Sequence, residues 1–188
     1  RLDPQGKDYI KRIRSATQHM GELIDDMLKL SRITRMDMDV AKVNLSDIAQ
    51  SVAAELRNAQ PQRSVTIKIQ EGLEDFADAQ LMKIALENLL GNAWKFTSKK
   101  ETAEIEFGCI DQDGKKVYFV RDNGAGFDRN YQARLFSPFQ RLHDAREFPG
   151  TGIGLATVKR IIDRHQGSIW ADGALDAGAT FYFTLNEN

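Results

Sequence analysis

Asn88-Leu-Leu-Gly-Asn92-Ala-Trp-Lys95-Phe96 is the stretch on which the reading of this chain turns. Asn88 and Asn92 are four residues apart, so they share one face of a helix, and Lys95 falls on the same side. Asparagine is a poor helix former because its side chain competes for backbone hydrogen bonds. Two of them at buried-looking positions therefore answer some demand other than helix formation. An amide oxygen is a hard ligand suited to Mg²⁺, and a neighbouring lysine can hold phosphate. Taken alone, the same residues also fit a solvent-facing helix side.

Two further clusters follow. Asp122-Asn-Gly124-Ala-Gly126-Phe127 comes directly after a strand pattern. An aspartate at a strand end can accept a hydrogen bond from an exocyclic amine such as that of adenine, and the glycines allow backbone to approach a flat ligand. An ordinary Asp-Asn-Gly turn is the competing reading. Gly150-Thr151-Gly152-Ile153-Gly154-Leu155 opens a helix, where successive backbone N–H groups form an anion site. Its glycines fall at every second residue, so it is not a dinucleotide fingerprint, and no Gly-Lys-Ser/Thr follows, so it is not a Walker A loop.

Around these clusters lies a chain of 188 residues, a little more than one domain of about 150. Lys+Arg is 26 and Asp+Glu is 27, a net charge of -1, which argues against a coat for nucleic acid or anionic membrane. Hydrophobic residues make up 41% and charged residues 28%, proportions that support a packed core. The single Cys109 excludes an internal disulfide and fits a reducing compartment. No apolar run approaches the roughly 18 residues of a membrane span, and the polar start RLDPQGKDYI is not a signal peptide. A soluble, cytoplasmic protein is expected, although the full-length protein could be anchored to a membrane by preceding segments. The chain starts with Arg rather than Met, so a fragment of a larger protein is expected.

The chain divides into two parts, residues 1–40 and 41–188. The first reads as one long helix to about Met36, started by Asp3-Pro4. Ile10, Ile13, Thr17, Met20, Ile24, Met27 and Ser31 alternate at spacings of three and four, a heptad seam. Ala16, Leu23 and Leu30 widen it, which predicts a helical bundle and a partner. The second part reads as α/β. It contains an extended Lys42–Leu45, a helix after Ser46, a strand through Val65, Ile67 and Ile69, and a helix capped by Asp78. A hairpin follows, Ala103–Ile110 and Lys116–Arg121, turning at Asp113-Gly114. An irregular glycine-rich stretch, a helix over Ile153–His165 and two last strands, Ser168–Ala171 and Thr180–Leu185, complete it.

In order and spacing, the clusters resemble the ATP-binding catalytic domain of two-component sensor histidine kinases, a fold shared with gyrase, the Hsp90 chaperones and the MutL mismatch-repair proteins. Asn88–Phe96 resembles the N box and Asp122–Phe127 the first glycine box. Leu135-Phe136-Ser-Pro-Phe139-Gln-Arg141-Leu-His143 resembles the F box. Gly150–Leu155 resembles the second glycine box, and Gly178-Ala-Thr180-Phe181 the last strand. The match covers Val43 to Leu185. Leu28-Lys-Leu-Ser-Arg-Ile33 and its helix resemble the second helix of the dimerisation and phosphoacceptor bundle. The resemblance implies a two-layer α/β (α+β) sandwich, a mixed sheet covered by helices on one face, preceded by the bundle helix.

It also implies ATP and Mg²⁺ as cofactors, with Asn92 as the principal metal ligand and Asn88 assisting. Lys95 would contact phosphate and Phe96 would line the adenine pocket. Asp122 would take the adenine amine, Gly124 and Gly126 would shape the base pocket, and Thr180 would lie near the adenine through a water. Gly150, Thr151, Gly152, Gly154 and Leu155 would surround the triphosphate, with Arg141 on the γ-phosphate. The γ-phosphoryl would pass to a histidine on a first bundle helix and then to a response-regulator aspartate. Expected partners are that first helix, a second copy through the bundle, a receiver domain and an upstream PAS or phytochrome-like sensor, with no nucleic acid.

The first helix, with its His-Asp/Glu-Leu-Arg-x-Pro pattern, is missing here. Neither His19 nor His165 matches it. His143-Asp144-Ala-Arg146-Glu-Phe-Pro149 is a partial match with its proline one residue late. No autophosphorylation is therefore expected of this chain. The alternatives are a non-catalytic ATP-binding or dimerisation scaffold, and an ATPase of the same fold, for which Glu87 would have to serve as base. An ideal helix turns Glu87 about 100° from Asn88.

Overall fold

The computed structural model describes residues 3–142, 144 and 147–186. Helix α1 (Pro4–Arg35) is capped by Asp3, whose carboxylate accepts from Gly6 N at 2.6 Å. Strand β1 (Val40–Asn44) leads into α2 (Leu45–Ala59), capped by Asn44. Strands β2 (Val65–Ile69) and β3 (Glu74–Asp78) precede α3 (Ala79–Phe96). The hairpin β4 (Ala103–Gln112) and β5 (Lys115–Asp122) follows, then a 3-10 turn at Arg129–Arg134. Helix α4 (Gly154–Arg164) and strands β6 (Ile169–Gly173) and β7 (Ala179–Phe183) end the chain.

The sheet runs β2-β4-β5-β7-β6, parallel between β2 and β4 and antiparallel elsewhere. It is the expected mixed sheet. Phe107, Tyr118, Phe183 and Ile105 on its inner face meet Leu81, Leu86, Leu89 and Ile161 from the helices, all essentially fully buried. Each such side chain contributes about 1.5–3 kcal/mol of transfer free energy. One feature goes beyond the sequence reading. The acidic segment Glu74–Asp78 is a strand, paired with β1 in a separate two-stranded sheet. Its extended form comes from that pairing, not from any alternation of its own.

That small sheet delivers Asp78 to the start of α3, where its carboxylate caps Gln80 N and Leu81 N, each at 3.0 Å. His165, at the end of α4, joins the same point. Its Nε2 accepts from Asp78 N at 3.0 Å, and its Nδ1 lies 2.8 Å from Ile161 O. Both ring nitrogens are engaged with backbone groups, one in each helix region. His165 thus registers α4 against α3, the two helices that frame the site.

Ile10, Ile13, Met20, Ile24 and Met27 of the α1 seam are exposed. Leu23 and Leu30, which widen the face, are half-buried, and Ile33 is buried in the core. α1 therefore carries two apolar stripes, one outward and one toward α4. Among the described residues, no helix is long and apolar enough to cross a membrane.

Candidate nucleotide site

Helices α3 and α4 and the loops after β5 enclose a cavity of about 460 Å³. Helix α3 buries Leu81, Ala85, Leu89 and Ala93 on one side. Its other side is half-buried and supplies Asn88, Asn92, Lys95 and Phe96 to the cavity. Asn88 Nδ2 donates to Ile84 O at 2.8 Å, which fixes the amide and leaves its oxygen directed toward Gly154. A Cβ at Gly154 would lie 2.5 Å from that oxygen, so a larger residue there would push the Asn88 amide from its place. Glu87 is exposed, 3.6 Å from Lys83, and does not line the cavity.

At the other end, Asp122 lies at the tip of β5, 6% exposed. Gly124 N donates to its Oδ1 at 2.8 Å. Burial raises this carboxyl to about 6, against the pull of backbone N–H groups from Gly124 and Ala179. Phe127, Leu135, Leu155, Ala179 and Phe181 make the surrounding walls apolar. Gly126, at φ +62, lines the floor, and a Cβ there would fall 1.8 Å from Ala174 O. Gly124 does not line the cavity; it lies against Phe96 O, which a Cβ would reach at 2.6 Å.

Beyond the Asp122 pocket the cavity carries the cations Lys95 and Arg141. Burial, and after it the Arg141 guanidinium, holds the Lys95 ammonium below the ordinary lysine range. Arg141 donates to Phe148 O at 2.9 Å, and the Phe148 ring packs 5.1 Å from Phe96. Gly150, Thr151, Gly152 and Gly154 also line the cavity, and a Cβ at Gly150 would lie 3.2 Å from Lys95 Nζ. Ile153, the N-cap of α4, makes no side-chain capping bond, so the first-turn N–H groups of α4 have no such cap where Gly152, Gly154 and Leu155 line the cavity.

The structure thus brings together the predicted residues except two. Gly124 acts from behind. Thr180 needs correction: it pairs with Arg121, while Asp122, Ala179 and Phe181 line the cavity. Side chains alternate along a strand, so Thr180 lies on the opposite face of the sheet from Ala179 and Phe181 and does not line the cavity. Its place on the inner face is taken by Ala179. Sequence reasoning missed Phe148, Pro149 and the α1 residues Glu22, Asp25, Asp26 and Lys29, which also line the cavity. The α1 residues lie more than fifty positions from Asn88–Phe96, the nearest of the nucleotide-site motifs, and only packing brings them to the cavity. His143 and Arg146 lie outside the described residues.

Amide oxygens on α3, a buried carboxylate among apolar walls and an open helix N-terminus beside two cations form a bipolar cavity suited to a purine nucleotide. A family model described as histidine kinase-, DNA gyrase B- and HSP90-like ATPase matches residues 77–188. The chain belongs to that family and carries an ATP-binding catalytic domain of the sensor histidine kinase type.

Cyanobacterial phytochrome B of Nostoc sp. is 33% identical over 189 residues, 99% of this chain and 25% of the relative. The circadian input-output histidine kinase CikA of Synechococcus elongatus is 32% identical over 196 residues, 99% of this chain and 26% of that protein. The crystal structure of full-length ShkA in complex with AMPPNP aligns with a TM-score of 0.74 and 25% identity, over 99% of this chain and 40% of that one. The chain spans about a quarter of the length of the phytochrome relatives it matches.

Proposed function

We propose that this chain is the catalytic portion of a two-component sensor histidine kinase. It presents Mg-ATP so that the γ-phosphoryl passes to a histidine on a bundle helix outside residues 1–188, for relay to a response-regulator aspartate. The observation that carries this reading is the bipolar cavity, with a buried Asp122 at one end and Lys95, Arg141 and the open α4 N-terminus at the other.

Phosphoryl transfer is governed mainly by positioning and charge stabilisation. Asp122 accepts the adenine amine, while Phe96, Gly126 and Leu155 enclose the base and sugar, with Gly124 setting the loop behind. Lys95 and Arg141 meet the phosphates, and residues 150–155 close around them. Among the described residues no three His, Cys, Asp or Glu side chains gather as a metal cage. The fixed Asn88 amide and Asn92 on the same face fit a hard cation that takes its other oxygens from phosphate and water. Asn92, assisted by Asn88, would hold Mg²⁺, which would neutralise phosphate charge. In the transfer itself the γ-phosphorus–oxygen bond breaks, a phosphorus–nitrogen bond to the acceptor imidazole forms, and ADP leaves.

In the same reading residues 1–40 are the second bundle helix and 41–188 the catalytic domain. The exposed stripe of α1 pairs with the first helix of the bundle and with a second copy. A receiver domain takes the phosphoryl group, a PAS or phytochrome-like domain lies upstream, and the domain works in the cytoplasm. His165 is unsuited as acceptor, because both ring nitrogens are already engaged.

Titration with ATP, with and without Mg²⁺, tests this reading against Asp122→Asn. The expected result is Mg²⁺-dependent binding that the variant loses, and phosphohistidine on a supplied first-helix peptide. A folded chain that binds no nucleotide overturns it.

A further inference from the structure

Thr151 Oγ1 donates to Asp26 Oδ2 at 2.6 Å, across 125 positions of sequence. This bond ties the loop that starts α4 to the middle of α1. The same hydroxyl lies 3.4 Å from Ile153 N, an N–H at the mouth of the anion site. Glu22, Asp25 and Asp26 line the cavity from α1, with Lys29, which lies 3.7 Å from Asp26. Of the α1 carboxylates that line the cavity, Asp26 is half-buried and stands against the Thr151 loop, while Glu22 and Asp25 are exposed. A triphosphate that takes the Thr151 hydroxyl and the Ile153 N–H has to displace the Asp26 carboxylate, because two anions cannot share that hydroxyl at close range without repulsion.

The lower end of α1 is held separately. Arg164 donates to Ile33 O and Met36 O, and Arg160 Nε to Thr34 Oγ1 at 3.2 Å. Asp26 lies seven positions, about 10 Å of helix, before Ile33 at this anchor. α1 is therefore pinned at its base, and the Asp26–Thr151 bond determines whether its middle stays on the cavity.

We propose that Asp26 is a positioning residue that latches α1 over the nucleotide lid, so that α1 and the triphosphate compete for the Thr151 loop. The proposal rests on the nucleotide reading above. Binding of the triphosphate then costs the latch, and release of α1 raises nucleotide affinity by the same factor, as linkage requires. Nucleotide loading thereby frees the middle of α1 from the cavity while its base stays held by Arg160 and Arg164.

The experiment uses the 188-residue chain with Asp26→Ala, and with Asp8→Ala as a control that removes a carboxylate from the far end of α1. Spin labels are attached through Arg12→Cys and Leu175→Cys in a Cys109→Ser background. Without nucleotide, Asp26→Ala is expected to broaden the interlabel distance, and Asp8→Ala to leave it unchanged. Asp26→Ala is expected to tighten ATP about five-fold or more and to leave adenosine, which lacks phosphates, unchanged. An unchanged distance, or equal tightening of adenosine and ATP, overturns the latch. ATP bound equally by wild type and Asp26→Ala overturns the latch alone. If Asp26→Ala frees α1 but neither chain binds ATP, the nucleotide reading fails, and the competition with it.

Discussion

The Arg63 guanidinium lies over the Trp94 indole, its central carbon 4.8 Å from the ring centroid. The same arginine donates to Trp94 O and, at 2.8 Å, to Thr97 Oγ1, while Trp94 Nε1 donates to Gln60 Oε1 at 2.8 Å. Trp94 is thus a core residue that anchors the last turn of α3 to the end of α2 and the loop after it. Lys95 and Phe96, the next two residues, owe their position to that anchor.

Arg63→Ala removes the ring contact and leaves two acceptors at the end of α3 without this donor. A loss of about 2 kcal/mol is expected. Arg63→Lys recovers only part of it, since an ammonium cannot make the planar fork. Urea denaturation of both variants measures the difference.

Asp122 titrates at about 6, above the ordinary 3.8 of the unfolded chain. Its protonated form is therefore favoured by folding. The contribution is fully present below about 3.8 and is lost as pH rises through about 6. Between pH 7 and pH 5, wild type should gain about 1 kcal/mol relative to Asp122→Asn. Nucleotide affinity should move the opposite way, falling as acid removes the acceptor for the adenine amine. Denaturation and ATP titration at the two pH values check both signs, and a flat difference in stability would contradict the burial argument.

Lys95 is buried beside Arg141. Lys95→Met should weaken ATP by about 10–100-fold, the worth of a charge-assisted hydrogen bond, and leave adenosine binding nearly unchanged. Because the ammonium is held below its usual range, wild-type ATP affinity should decline at a lower alkaline pH than an ordinary lysine would give. The Met variant should lack that decline. Calorimetric titration with both ligands tests this split.

Two glycines of the site region should respond in opposite directions. Gly126 has a positive φ and a carbonyl where a Cβ would go, so Gly126→Ala should cost about 3 kcal/mol or more. Gly91, inside α3, has open space within 4 Å of where a methyl group would sit, and Gly91→Ala should stabilise by about 0.5–1 kcal/mol. Thermal denaturation of the two variants gives the comparison.

Much of this protein follows from local sequence. Asp3, Asp78 and the heptad spacing of α1 mark helix starts and faces because capping and amphipathic period are local chemistry. The hairpin turn at Asp113-Gly114 and the glycine spacing of residues 150–154 are local in the same sense. Asn88, Asn92, Lys95 and Asp122 were legible as site residues because their types are ill suited to the apolar positions they interrupt. Tertiary structure alone decided the rest. Strand β3 exists because β1 is there to pair with it. Thr180 faces away from the cavity because strand register, which no short motif specifies, assigned the inner face to Ala179. Asp26 reaches Thr151 because Arg164 holds the foot of α1 against α4. These are contacts between residues far apart in the chain, and their energies exist only once the core has brought the elements together.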